Sequence, residues 1–154
     1  MVSPGLATDE AIRALLLLMP RLIGRVKRLG VPDALRGLDL APRHLSLLSY
    51  LQLEGPLSIG ELAERLEVAP TTVSLMIADL SRAGVLVRRE DEADRRRRIV
   101  TIAPEHTDAV TAWLGGSAVA WREAVADLSD TEREVVVRTL RAYEQALGET
   151  GLQR

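Results

Sequence analysis

Two helix starts lie close together in the middle of the chain. Ser58-Ile-Gly-Glu61 has the spacing of a capping box, in which the Ser58 hydroxyl and the Glu61 carboxylate each bind an unpaired amide at a helix N-terminus. Pro70 suits the first turn of a second helix, because proline has no amide hydrogen to leave unpaired there. A short helix, the tight connection 67–69 and another helix therefore follow one another, which predicts a helix-turn-helix.

The second of these helices has one apolar stripe. Its apolar residues recur at three- and four-residue spacing, which predicts burial of one face: Val73, Met76, Ile77 and Leu80. The opposite side is free to enter a DNA major groove and offers Thr71, Thr72, Ser74, Leu75 and Ala78. Gly84 is placed to end the helix in a left-handed conformation.

Two strand-like segments follow, at 85–89 and 99–102, and the hydrophilic stretch 90–98 joins them as a hairpin tip. Six arginines fall between positions 88 and 98, although the whole chain has a formal net charge of -2. The position of these charges, rather than their total, favours nucleic acid binding. A run of arginines at a hairpin tip suits the minor groove, whose negative potential attracts inserted arginine side chains.

Longer apolar stripes flank this central region and predict further helices. On the N-terminal side, one helix is predicted over 8–30, with a kink or break at Pro20, and another runs from near Pro42 to 55–56. Leu45, Leu48 and Leu51 or Gln52 of the latter are expected to face the core.

On the C-terminal side, a helix is predicted from Pro104 to about Leu128. Gly115-Gly116 inside it costs about 1 kcal/mol per glycine, which we expect close helix packing or a bend to offset. A second capping box, at 129–132, opens the last helix, which extends to about 149.

Composition narrows the function classes. The chain has no cysteine, which excludes disulfides, thiolate metal sites and cysteine nucleophiles. His44 and His106 are its only histidines, and no nucleophile elbow, glycine-rich phosphate loop or paired-carboxylate motif accompanies them, so neither an enzyme nor a metal or cofactor site is expected. No apolar run approaches a membrane span and the N-terminus has no signal-peptide pattern, so we expect a cytoplasmic location.

The motifs together resemble the MarR family of bacterial transcription regulators, over nearly the whole chain. The matching pieces are residues 57–66, 73–86, the Asp-x-Arg of Asp94 and Arg96, and 104–105. The resemblance implies that Asp94 positions Arg96, which enters the minor groove. The sequence departs from the family at Leu75 and Asp79, where family members frequently have basic residues. Readout of guanine by an arginine of the helix that begins at Pro70 is therefore not expected.

The sequence therefore predicts a mostly α fold with a small β-hairpin, a winged helix-turn-helix with dimerisation helices at both ends. We expect one domain, 1–154, in which 40–103 form the DNA-binding lobe and 8–30 and 104–149 form the dimer interface. The predicted function is a homodimeric, sequence-specific regulator that binds a pseudo-palindromic operator, a repressor relieved by a small effector. The alternative is a winged-helix module that docks a partner protein through the same helix.

The predicted DNA-contacting residues lie in two groups. The helix contributes Thr71, Thr72, Ser74 and Leu75, and the hairpin tip contributes Asp94, Arg95, Arg96, Arg97 and Arg98. Within the tip, Arg95, Arg97 and Arg98 are expected to neutralise phosphates while Arg96 reads the minor groove. The sequence does not identify the residues that would bind an effector.

Overall fold

The computed structural model describes residues 5–28, 31, 33–37, 40 and 42–151. This part of the chain is mostly helical and carries one two-stranded antiparallel sheet, which confirms the predicted fold class. Its elements, in chain order, are α1 (Thr8–Arg28), a 3-10 turn (Asp33–Leu35), α2 (Pro42–Glu54), α3 (Ile59–Leu66), α4 (Pro70–Arg82), β1 (Leu86–Glu90), β2 (Arg98–Ile102), α5 (Pro104–Ala124) and α6 (Asp130–Gly151).

The helix-turn-helix forms as its capping residues require. The Ser58 hydroxyl accepts from the Glu61 amide at 3.3 Å, and the Glu61 carboxylate accepts from the Ser58 amide at 2.8 Å. Glu67 ends α3 in the left-handed region, with φ of 54°, which few non-glycine residues adopt. The Val68 amide then donates to the Ala63 carbonyl at 3.2 Å, so the chain reverses within three residues before Pro70 opens α4.

The core of the lobe lies where α2, α3, α4, the hairpin and the start of α5 meet. All four predicted residues of the α4 stripe are buried: Val73, Met76, Ile77 and Leu80. In α2, Leu48 and Leu51 are buried as predicted, but Leu45 and Gln52 are only half-buried. Leu47, which the stripe omitted, is fully buried, because elements pack against α2 over a wider arc than one stripe.

The hairpin is anchored on both sides of β2. Its register pairs Leu86 with Ile102 and Glu90 with Arg98, and Gly84 precedes β1 with φ of 76°, as its predicted capping role requires. On its other edge, β2 exchanges two backbone hydrogen bonds with Leu57, of 2.8 Å and 3.2 Å, through Val100. The segment before α3 thus forms an isolated antiparallel β-bridge to β2, which the sequence pattern did not predict.

The flanking helices differ from prediction in detail. α1 continues through Pro20 without a break. α5 ends at Ala124, and a side chain added at Gly115 or Gly116 would meet no atom of the described chain within 4 Å. The expected close packing at these glycines is therefore not made by the described part of this chain.

The chain divides into two compact units, Met1–Gly116 and Ser117–Arg154. The first holds the winged helix, and the second holds the end of α5 and all of α6. α6 begins with the predicted capping box, in which the Glu132 carboxylate accepts from the Ser129 amide at 2.7 Å. Among the described helices, none has an apolar stretch long enough to cross a membrane.

Candidate nucleic-acid interface

The outward side of α4 is exposed to solvent along its centre. Thr71 and Leu75 are exposed, and Thr72, Ser74 and Ala78 are half-buried at the edges of the same side. Leu75 has 69% of its surface in solvent, although it is a leucine on a helix whose opposite stripe is fully packed. The four helix residues predicted to contact DNA therefore share one accessible face.

Asp79 is the acidic residue on the exposed side of α4, and its charge is compensated. Its carboxylate accepts a hydrogen bond from the Arg82 guanidinium one turn on and lies 3.9 Å from Nε2 of His44. His44 is buried on α2, against the C-terminal half of α4. Asp79 and Arg82 lie in the last turns of α4, and the first two turns of this helix carry no charged side chain.

The tip of the hairpin is a tight turn that its own acidic residues order. The Asp94 carboxylate accepts from the Arg96 amide at 3.0 Å, and the Asp94 carbonyl accepts from the Arg97 amide at 2.9 Å. The Asp91 carboxylate accepts from the Ala93 amide at 3.0 Å. Both carboxylates therefore stabilise the turn through backbone groups, as aspartates do in Asx-turns. Asp94 positions the backbone of Arg96 directly, and the guanidinium only through that backbone.

The four consecutive arginines fall into different environments. Arg95 and Arg96 are exposed at the apex, and their guanidinium groups form no hydrogen bond or ion pair with the described part of the chain. Arg98 is exposed on β2 and lies 3.5 Å from the Glu90 carboxylate across the hairpin. On β1, Arg88 and Arg89 are also exposed, so the hairpin presents arginines along its length.

Arg97 is held differently from its neighbours. Its guanidinium donates to the Glu61 carboxylate at the start of α3 and to Asp91 at 3.3 Å. The sequence assigned Arg97 to DNA phosphates, whereas this geometry uses it to fasten the hairpin to the helix-turn-helix. No spacing rule signals such a pair, because its partners are 36 positions apart in the chain.

Glu61 links the two halves of the site electrostatically. The pKa of its carboxyl falls from 4.5 to about 2, chiefly because the Ser58 amide donates to it and next because Arg97 does. Glu61 is therefore ionised at neutral pH, and its negative charge is paired with the Arg97 guanidinium.

Comparison with known proteins finds a family match for the region that contains α4 and the hairpin tip. Residues 38–97 match the family model described as "MarR family". A 68-residue segment is 34% identical to the HTH-type transcriptional repressor MdtR of Bacillus subtilis, covering 42% of this chain. Over residues 38–97, the chain is therefore similar to the MarR family. The matched segment spans only 44% of the length of MdtR, so the likeness to this relative rests on the MarR-type lobe.

Solved structures extend the MarR fold over most of the chain. A MepR variant of S. aureus bound to an oligodeoxyribonucleotide has a TM-score of 0.51 and 24% identity, covering 85% of this chain and 96% of that one. PcaV of Streptomyces coelicolor, in complex with its natural ligand, has a TM-score of 0.57 and 20% identity, covering 96% of this chain and 99% of that one. At these identities the match establishes the fold.

Proposed function

We propose that this protein is a sequence-specific transcriptional regulator that binds double-stranded DNA, and that it acts as a repressor rather than as an enzyme. The observation that carries the proposal is the exposed face of α4 beside a hairpin apex with two exposed arginines, Arg95 and Arg96. A helix of this kind fits the major groove, and an arginine-bearing hairpin fits the adjacent minor groove. The names of MdtR as a repressor and of the MepR–oligodeoxyribonucleotide complex support it.

The charge distribution supports DNA as the partner despite the acidic balance of the whole chain. Within the hairpin, Asp91 and Asp94 accept internal hydrogen bonds, and Glu61 is occupied by Arg97. Three carboxylates near the arginines therefore serve the fold, while Glu92, Arg95, Arg96 and Arg98 remain exposed. Nonspecific attraction to phosphates depends on this local surface rather than on net charge.

We further propose that the protein is a homodimer, with α1, α5 and α6 supplying the interface. No residue of α1 is buried, although most of its length is apolar. Large apolar side chains are exposed on each of these helices, among them Leu15, Leu16, Ile23, Trp121, Leu140 and Leu147. Apolar surface of this extent is uncommon on a monomer and marks a protein interface.

Dimerisation predicts a mass in solution of about twice 16.9 kDa. Light scattering at micromolar concentration measures it. As a control, Leu16→Glu places a charge on the exposed surface of α1, where it is harmless to a monomer but costly in a dry interface, and should shift the equilibrium toward monomer. A wild-type protein that stays monomeric at this concentration contradicts the proposed interface.

The same dimer predicts an operator with two-fold pseudo-symmetry. Two identical α4 helices meet identical half-sites about one helical turn, or about 10 base pairs, apart. Selection of bound sequences from random DNA, followed by footprinting, should return an inverted repeat protected over both halves. Enrichment of a single asymmetric half-site would speak against the dimer geometry, and no enrichment at all would remove the proposed function.

Docking of a partner protein is the alternative, and the exposed Leu75 on a helix poor in basic residues favours it. Salt separates the two functions. DNA binding through phosphates weakens steeply as salt rises, because bound counterions are released, whereas an apolar protein interface does not. Repeating the binding titration at several salt concentrations therefore decides between them.

Relief of repression by a small ligand is also part of the proposal. PcaV, which shares the fold, was solved with its natural ligand. A ligand lowers DNA affinity only if it binds better to a dimer whose α4 helices are wrongly spaced for the operator, since equal affinity for both states shifts nothing.

A further inference from the structure

The exposed face of α4 carries methyl groups where DNA-reading helices usually carry hydrogen-bonding side chains. Thr71, Leu75 and Ala78 follow one another at spacings of four and three residues, so they form a single line along the helix. Each of the three ends in at least one methyl group. Leu75, at the middle of this methyl line, is the longest and has 69% of its surface exposed.

The usual partners for guanine and adenine are missing from this line. The sequence of α4 contains no Lys, Asn or Gln, and its one arginine, Arg82, lies in the last turn, hydrogen-bonded to Asp79. Arginine or lysine reads guanine, and asparagine or glutamine reads adenine, through paired hydrogen bonds. None of these contacts is available from the first two turns, which are the part of a recognition helix that reaches base edges.

The methyl group of thymine is the base-edge feature that apolar side chains can still recognise. Thymine alone among the four bases carries a methyl group in the major groove, and apolar side chains contact it favourably. Burial of two methyl groups against each other removes apolar surface from water on both sides. We propose that α4 reads its operator through thymine methyl groups, with Leu75 as the specificity-determining residue.

This inference rests on the proposed DNA-binding function and names the chemistry that the helix selects. The neighbouring hydroxyls of Thr72 and Ser74 lie at the edges of the same face and suit phosphate oxygens. The helix therefore divides its contacts: hydroxyls position it on the backbone, and methyl groups select thymine.

Uracil tests the proposal, because it pairs as thymine does and lacks only the methyl group. In the selected operator, each thymine of a half-site is replaced by uracil in turn, and affinity for the full-chain protein is measured at fixed salt. At the position that Leu75 contacts, we expect about a fourfold loss, the value of one buried methyl-sized group. Symmetric replacement in both half-sites should give roughly the square of that loss.

A double-mutant cycle assigns the effect to one side chain. Leu75→Ala should bind the thymine operator more weakly than the wild type and should no longer distinguish thymine from uracil at that position. Leu53→Ala, a matched change at an exposed leucine of α2, should keep the wild-type preference. Because Leu75 is exposed, its replacement leaves the core intact, and a folded variant is expected.

The outcomes separate this inference from the function on which it rests. An operator that is enriched and footprinted, but bound equally well with thymine and with uracil, overturns the methyl readout and leaves DNA binding standing. An equal preference for thymine in wild type and Leu75→Ala shows that Leu75 does not read the thymine methyl group, and overturns the assignment. Failure to enrich any DNA overturns the proposed function and the inference together.

Discussion

Replacement of Arg96 by alanine is expected to weaken operator binding by about 1–3 kcal/mol, or roughly 5- to 150-fold, and to blunt discrimination of A·T-rich flanks. The side chain is exposed at the hairpin apex, and its backbone is fixed by the Asp94 carboxylate at 3.0 Å. An arginine held in this way enters a narrow minor groove without first having to order its own loop. Titration against operator and scrambled duplexes at several salt concentrations measures the loss.

Arg98→Ala is the matched control, since Arg98 is also exposed but lies on the strand, 3.5 Å from Glu90. Loss of a phosphate contact there should weaken binding to operator and to random DNA about equally and lower the salt slope by about one.

Asp94→Asn keeps an acceptor for the Arg96 amide and removes the charge, whereas Asp94→Ala removes both. If Asp94 orders the apex, only the alanine variant should resemble Arg96→Ala. An Arg96→Ala protein with unchanged affinity and preference would show that the roles within the hairpin are wrongly assigned.

Leu80→Ala should destabilise the fold by about 2–5 kcal/mol, because it leaves a cavity beneath α4. Leu80 is 1% exposed and packs with the stripe that joins α4 to the rest of the lobe. Urea unfolding at one fixed protein concentration measures the change in the free energy of unfolding, since the stability of a dimer depends on concentration.

Leu75→Ala makes the same chemical change on the same helix and is the control for Leu80→Ala. Leu75 is 69% exposed, so its truncation should alter the free energy of unfolding by no more than about 0.5 kcal/mol. The two variants should therefore have different effects, since Leu80 packs in the core and Leu75 lies on the exposed face proposed to contact DNA. Similar losses of stability from both variants would mean that α4 packs on both sides, which the proposed interface does not allow.

Local sequence signals were sufficient for the framework of the lobe. The capping boxes at 58–61 and 129–132 start helices where they were predicted, and Gly84 adopts its left-handed conformation before β1. These features are set by groups within a few residues of one another, so the sequence carries their geometry directly. The buried stripe of α4 was predicted correctly for the same reason, because a helix of known period with apolar residues on one side has only one side to bury.

Features that join distant parts of the chain were not predicted. Leu57 forms an isolated β-bridge with Val100, and Leu47 is buried because several elements meet at α2. Arg97 pairs with Glu61 because the fold brings the hairpin next to the start of α3, and its predicted phosphate contact stays a prediction. Each of these contacts depends on which segments become neighbours after folding, and the residue spacing within one segment does not indicate its neighbours.

The candidate interface shows the same division. By itself, the sequence determined the helix-turn-helix, the hairpin with its arginines and the side of α4 left over after burial, since periodicity and capping are local properties. The tertiary structure decided the environment of each arginine: Arg95 and Arg96 are exposed, while Arg97 forms an ion pair with Glu61. The reason is that a guanidinium pairs with whichever carboxylate the fold brings within hydrogen-bonding distance, and only the folded chain fixes that distance.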